Sequence, residues 1–122
     1  MEDKYSPEIQ IEINEILNKI NDCYNFFDLK IEFYFDGWAI FLREKNLYPR
    51  YIIIFKSYAN SNYFIKSYEI HLRNYKKEEF KELYSLENIK NKEALLKELK
   101  EIIYGKDLIK NAIKIFNNTF LK

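Results

Sequence analysis

The feature that constrains this chain most is a single run, LKIEFYFDGWAIFLR, from Leu29 to Arg43. Apolar and polar residues alternate on both sides of Asp36-Gly37, which is the signature of two strands with one buried face. Asp-Gly is also a strong two-residue hairpin signal, because both central positions of a type I′ turn need positive φ. A turn at 36–37 pairs Phe35 with Trp38, Phe33 with Ile40 and Ile31 with Leu42, so that all six apolar side chains share one face. Turn chemistry and hydrophobic pattern agree on that register.

On either side of this run the period is different. Ser6-Pro7-Glu8 reads as a helix start, and Ile9, Ile13, Ile16, Leu17, Ile20, Tyr24 and Phe27 follow at spacings of three and four. This predicts a helix over about 6–26. Downstream, Tyr51–Tyr58 is apolar on both faces and reads as a central strand. The polar island Ala59-Asn60-Ser61-Asn62 returns the chain through Tyr63–Leu72, whose register the loop length leaves open. Helical spacing then reappears. Lys76–Tyr84 is expected to turn Phe80, Leu83 and Tyr84 inward. Asn91 caps a helix of about 92–104 that Gly105 ends, and Asp107 caps a last helix burying Leu108, Ile109, Ala112, Ile113, Phe116 and Phe120. The expected fold is α+β: an N-terminal helix, a four-stranded antiparallel β-meander, then two to three C-terminal helices, all in one compact domain over residues 1–122.

Composition bounds the function classes. Hydrophobic residues make up 48% of the chain and charged residues 32%, as in a folded, soluble domain. The N-terminus does not resemble a signal peptide, and no apolar run approaches the roughly 20 residues that span a bilayer. A cytoplasmic protein without a membrane partner is therefore expected. Ile, Lys, Asn, Tyr and Phe fill 69 of the 122 positions. Their codons are A- and T-rich, pointing to a low-GC bacterium or one of its phages or mobile elements. The net charge of +1 is uneven: residues 1–36 carry net −6 and the remainder net +7. Such an asymmetry suits oriented association with a partner.

Catalytic options are few. His71 is the only histidine and Cys23 the only cysteine, so a Cys-His or Ser-His-Asp centre would have to use them, and a zinc site of the usual kind lacks ligands. Two glycines cannot make a phosphate-cradling loop. Asp36 with Glu69 and His71 resembles the acid set of a metal nuclease, with histidine where that chemistry uses lysine. Asp36 is equally accounted for as a turn residue. The expectation is a protein that is not an enzyme and needs no cofactor or metal.

Binding surfaces are better represented. The face of the sheet opposite the helices would carry Tyr34, Phe41, Tyr51, Phe55, Tyr63 and Tyr68. Left open, it forms an aromatic surface on the order of several hundred Å². Glu8, Glu12 and Glu15 share one face of the first helix and form a second, acidic candidate. The expected function is a small inhibitor or immunity-type protein acting by stoichiometric contact on a bacterial toxin, nuclease or defence complex, such as an anti-defence protein of a phage. The same face could pair two copies into a homodimer. The alternative partner is single-stranded nucleic acid, with Tyr51, Phe55, Tyr63 and Tyr68 stacking on bases and Lys56 and Lys66 on phosphates. Only three arginines and a near-neutral charge weigh against it.

Overall fold

The computed structural model describes residues 6–23, 27–45, 49–73 and 77–120, with the side chains of 21–23, 72–73 and 120 outside that description. The order is α1 (Pro7–Cys23), β1 (Phe27–Tyr34), β2 (Gly37–Glu44), β3 (Arg50–Ser57), β4 (Tyr63–Arg73), β5 (Lys77–Ile89), α2 (Lys92–Ile103) and α3 (Lys106–Phe120). The five strands form one antiparallel sheet in the order β1-β2-β3-β4-β5. The class is α+β as expected, with five strands rather than four. None of the described helices is long and apolar enough to cross a membrane.

The helix ends follow local chemistry. Ser6 Oγ accepts from the Ile9 N–H at 3.4 Å and opens α1. Asn91 Oδ1 accepts from the Ala94 N–H at 2.8 Å and opens α2. Gly105, at φ 105°, ends α2 by donating its N–H to Ile102 O at 2.9 Å. Inward residues of these two helices, Ile13, Ile16 and Ile20 with Leu95, Leu99, Ile102 and Ile103, meet Trp38, Ile40, Leu42, Ile52, Ile54 and Ile65 of the sheet in one core. β2 and β3 are therefore buried on the helix side along most of their length, while β1 is an edge strand on which Leu29 is exposed.

The first hairpin keeps its expected faces but shifts its register by two. Phe33 pairs with Trp38, Ile31 with Ile40 and Leu29 with Leu42. The turn is Phe35-Asp36, and Phe35 is fully exposed. An even shift preserves the alternation, so the hydrophobic pattern alone could not distinguish the two registers. Gly37 lies in the strand without positive φ, so the turn is not the type I′ form expected. Its lack of a side chain serves another purpose: a Cβ there would sit 2.0 Å from Lys56 O and 2.7 Å from the Phe55 ring. Asp36 O accepts from the Tyr58 N–H at 2.9 Å, tying the turn to the end of β3.

The largest correction is β5. Of the helix expected over 76–84, residue 76 lies outside the described residues and 77–84 belong to a strand, paired with β4 from Lys77 opposite Arg73 to Ile89 opposite Tyr63. Phe80, Leu83 and Tyr84 have helical spacing, but Phe80, Glu82 and Tyr84 also alternate. Pairing along a long free edge outweighs the helix propensity of its Glu and Lys residues. The pairing breaks register between Tyr63 and Ile65 and between Ser67 and Tyr68. Bulges of this kind bend a strand. The second expected burial that fails is α3, where Leu108, Ile109, Ala112, Ile113 and Phe116 are exposed; the Phe120 side chain lies outside the described residues.

Candidate binding surface

Helices α1 and α2 cover one face of the sheet only. On the other face Phe41 stacks on Tyr51 with ring centroids 5.9 Å apart, and Tyr51 meets Phe80 at 5.4 Å. Phe80 in turn meets Tyr68 edge-on at 6.4 Å. A second group runs from Tyr34 to Phe55 at 6.3 Å and from Phe55 to Phe64 at 5.1 Å. Ile53 and its cross-strand neighbour Lys66 lie between the two groups. Most of these rings are half-buried by one another, while Tyr34 and Phe80 are exposed. Offset stacking explains how so much aromatic area stays ordered with no helix over it.

The surface is a shallow cup rather than a plane. Arg43 on β2 donates to Glu78 on β5, Nη1 to Oε1 at 3.0 Å with a second bond from Nη2 to Oε2. Flat strands spaced about 4.8 Å apart would hold β2 and β5 roughly 14 Å from each other. The register puts Glu82 level with Arg43, with Glu78 four residues further along β5, beyond the reach of the two side chains on a flat sheet. The first half of β5 must therefore curl over the face from the bulge at Ser67/Tyr68. Phe80 and Glu78 form its wall. Hydrogen bonding to Arg43 holds the Glu78 carboxyl below its ordinary value. Burial among the rings pushes the Tyr51 phenol above 10.0.

Five of the six aromatic residues expected on this face are there: Tyr34, Phe41, Tyr51, Phe55 and Tyr68. Tyr63 is not. It faces the helices, 3% exposed, edge-on to Trp38 at 6.3 Å. Phe64 takes its place on the cup because β4 pairs Phe64 with Phe55. Sequence reasoning could not see this while the register of β4 was open. Phe80 was missed because its segment read as a helix. Lys56 also points to the helix side and donates to Glu12 Oε2 at 2.7 Å. The expected stacking set for nucleic acid is thus divided between opposite faces, with Lys66 alone of its two lysines on the cup.

The acidic row of α1 is largely engaged within the fold. Glu12 accepts from both Lys56 and Tyr63, and Glu15 pairs with Lys92 at the start of α2. Glu8 is exposed. Burial, then the hydrogen bond to Glu12, raises the Tyr63 phenol far above 10.0. This row clasps helix to sheet.

Nor are the residues of the nuclease-like set brought together. Gly37, next to Asp36, pairs with Ser57 at one end of β3, whereas Glu69 pairs with Arg50 at the other. Seven residues of strand separate those ends, about 23 Å. His71 Nε2 lies 3.0 Å from Glu69 Oε1 in an exposed pair. It borders a cleft of about 420 Å³ with Pro49, Arg50 and Leu108. The Cys23 side chain lies outside the described residues. Among the described residues, no three His, Cys, Asp or Glu side chains converge as a metal site would require.

No family model, no curated protein and no solved structure matches this chain.

Proposed function

We infer that the chain is a non-enzymatic binding protein that presents the aromatic cup of its sheet to a protein partner. The observation that carries this reading is an aromatic cup spread over all five strands with none of the described helices against it. Interfaces favour such rings, since tyrosine and phenylalanine contribute large contact area at little conformational cost. The charges of the cup support a protein partner over a phosphate backbone. Across β1–β4 and the first half of β5, Asp28, Glu32, Glu78 and Glu82 face Lys30, Arg43 and Lys66, with Lys45, just past β2, 3.7 Å from Asp28. Lys30 pairs with Glu32 at 2.7 Å and Arg43 with Glu78, which leaves little free positive charge.

The finer reading is a small inhibitor or immunity-type protein, cytoplasmic, whose target is a bacterial toxin, nuclease or defence complex. It rests on the AT-rich composition and the shape of the cup. A phage or mobile element of a low-GC bacterium is the source that this composition fits.

The test compares wild type with Tyr51→Ala and Tyr68→Ala in affinity capture from cells that carry the gene. A stoichiometric protein retained by wild type and weakened in both folded variants is the expected result. Each ring at an interface centre contributes roughly 2 kcal/mol. If both variants unfold, the face is core and the reading fails. Single-stranded nucleic acid is the reading to exclude, and an anisotropy titration on DNA and RNA at two salt concentrations does so. Binding there with a steep salt dependence, abolished by Lys66→Glu, would replace the protein partner.

A further inference from the structure

Away from the cup, α2 and α3 enclose an open trough of about 680 Å³. The α2 side presents Lys97, Lys100 and, just past its end, Tyr104. The α3 side presents Ile109, Lys110 and Ile113. Lys97, Lys100 and Tyr104 recur at three and four, and Ile109 and Ile113 lie four apart with Lys110 beside them, so each set forms one face. The floor is apolar and uncovered, with Tyr104 67%, Ile109 61% and Ile113 54% exposed. The rim carries four lysines against one carboxylate, Glu101. A fourth lysine, Lys106, is held by Glu98 at 3.0 Å and Glu101 at 3.1 Å. Lys97, Lys100 and Lys110 have no such partner among the described residues.

An apolar trough between two helices is the seat of a third helix. The cationic rim requires that helix to carry acids along its flanks. A second copy of this chain does not supply one. Its α3 would bring Lys106, Lys110 and Lys114, and its acidic α1 turns Ile13, Ile16 and Ile20 into its own core and leaves Ile11 exposed among its glutamates, one residue rather than an apolar stripe. A flat anionic bilayer would meet the crest of α3 and leave the floor of the trough unfilled. We propose that the α2–α3 trough docks an acidic amphipathic helix of another protein, its apolar stripe on Tyr104, Ile109 and Ile113 and its carboxylates on Lys97, Lys100 and Lys110. The trough lies on the helix side of the sheet, so this site is separate from the cup and stands without it.

The experiment uses the whole chain and three probes. One is a fluorescent helical peptide with leucines at i, i+3, i+4 and i+7 and glutamates on both flanks. Another is the same peptide with lysines for the glutamates, and the third is vesicles of phosphatidylcholine and phosphatidylglycerol. Saturable one-to-one binding of the acidic peptide alone is expected. Ile113→Asp should abolish it, and the pair Lys97→Glu, Lys110→Glu should weaken it at least about tenfold. Tyr51→Ala should leave it unchanged. All three trough residues are exposed, and circular dichroism checks that the variants fold. Four results would overturn the proposal: no saturable binding of the acidic peptide, equal binding of both peptides, vesicle binding lost in Ile113→Asp, or a homodimer by light scattering that Ile113→Asp dissolves.

Discussion

Arg50 shows how one side chain can hold three elements together. Its five guanidinium N–H groups are all used: Nε donates to Glu44 Oε1 at 3.1 Å, Nη1 to Asp107 Oδ1 and to Ile102 O, each at 2.7 Å, and Nη2 to Glu44 Oε2 at 2.9 Å and to Ile103 O at 3.2 Å. The group thus caps the carbonyl end of α2 and fixes the first turn of α3. Burial opposes its charge, yet the bond to Glu44 and the charge of Asp107 outweigh burial and leave its pKa raised. Asp107 was expected to act as a helix cap. It does accept from the Leu108 N–H at 2.9 Å, but its carboxylate is fully buried against Arg50. That long-range partner carries no local sequence signal. Removing one member of a buried pair strands the other charge, so Arg50→Ala should cost about 3–5 kcal/mol in urea unfolding. A loss under about 1 kcal/mol would show that the network is solvated. A pH effect belongs to this scale too. Tyr63 binds its proton more tightly folded than unfolded, so its contribution is complete below pH 10 and is lost as pH rises through the raised value. Urea midpoints should fall between about pH 9 and about pH 11.5, and fall less steeply in Tyr63→Phe.

Among the elements, legibility followed how local the determinant is. The caps at Ser6 and Asn91 and the glycine stop at Gly105 were readable because a few neighbouring residues decide them. β3 was readable as a central strand because Ile52 and Ile54 alternate with Ile53 and Phe55. β5 was not, because its pattern fits either period and only the free edge of β4 selects the strand. The prediction for β5 is that amide exchange protects it in the alternating manner of an edge strand, on the N–H groups bonded to β4. Uniform protection over 77–84 would instead signal the helix that its sequence suggests. For α3, the amphipathic pattern was read correctly but the burial was not. The helix runs beside β5, yet most of its apolar arc stays exposed. Ile109→Ala and Ile113→Ala should therefore change stability by within about 0.5 kcal/mol, while Leu99→Ala in the core should cost about 2–5 kcal/mol. Comparable losses at all three sites would mean that α3 is packed in solution.

At the scale of the whole molecule, the chain is a two-layer sandwich with the second layer on one side only. The sequence made the aromatic content of β2, β3 and β4 plain. It could not say whether helices covered both faces, since three short apolar helices can be arranged either way. The bend that makes a cup of the open face depends on bulges in β4–β5 and on the Arg43–Glu78 pair, neither of which has a sequence signature. On the proposed function, this cup meets a protein. Hydroxyl-radical footprinting of the captured complex against the free chain tests it most directly, because oxidation of each ring reports its own access to solvent. Tyr34, Phe55, Phe64, Tyr68 and Phe80 should be oxidised severalfold more slowly in the complex, with Ile11 on the outer side of α1 unchanged. Unchanged rates at those five rings, with protection at Ile11 and Glu8 instead, would overturn the proposed function and place the partner on the acidic helix.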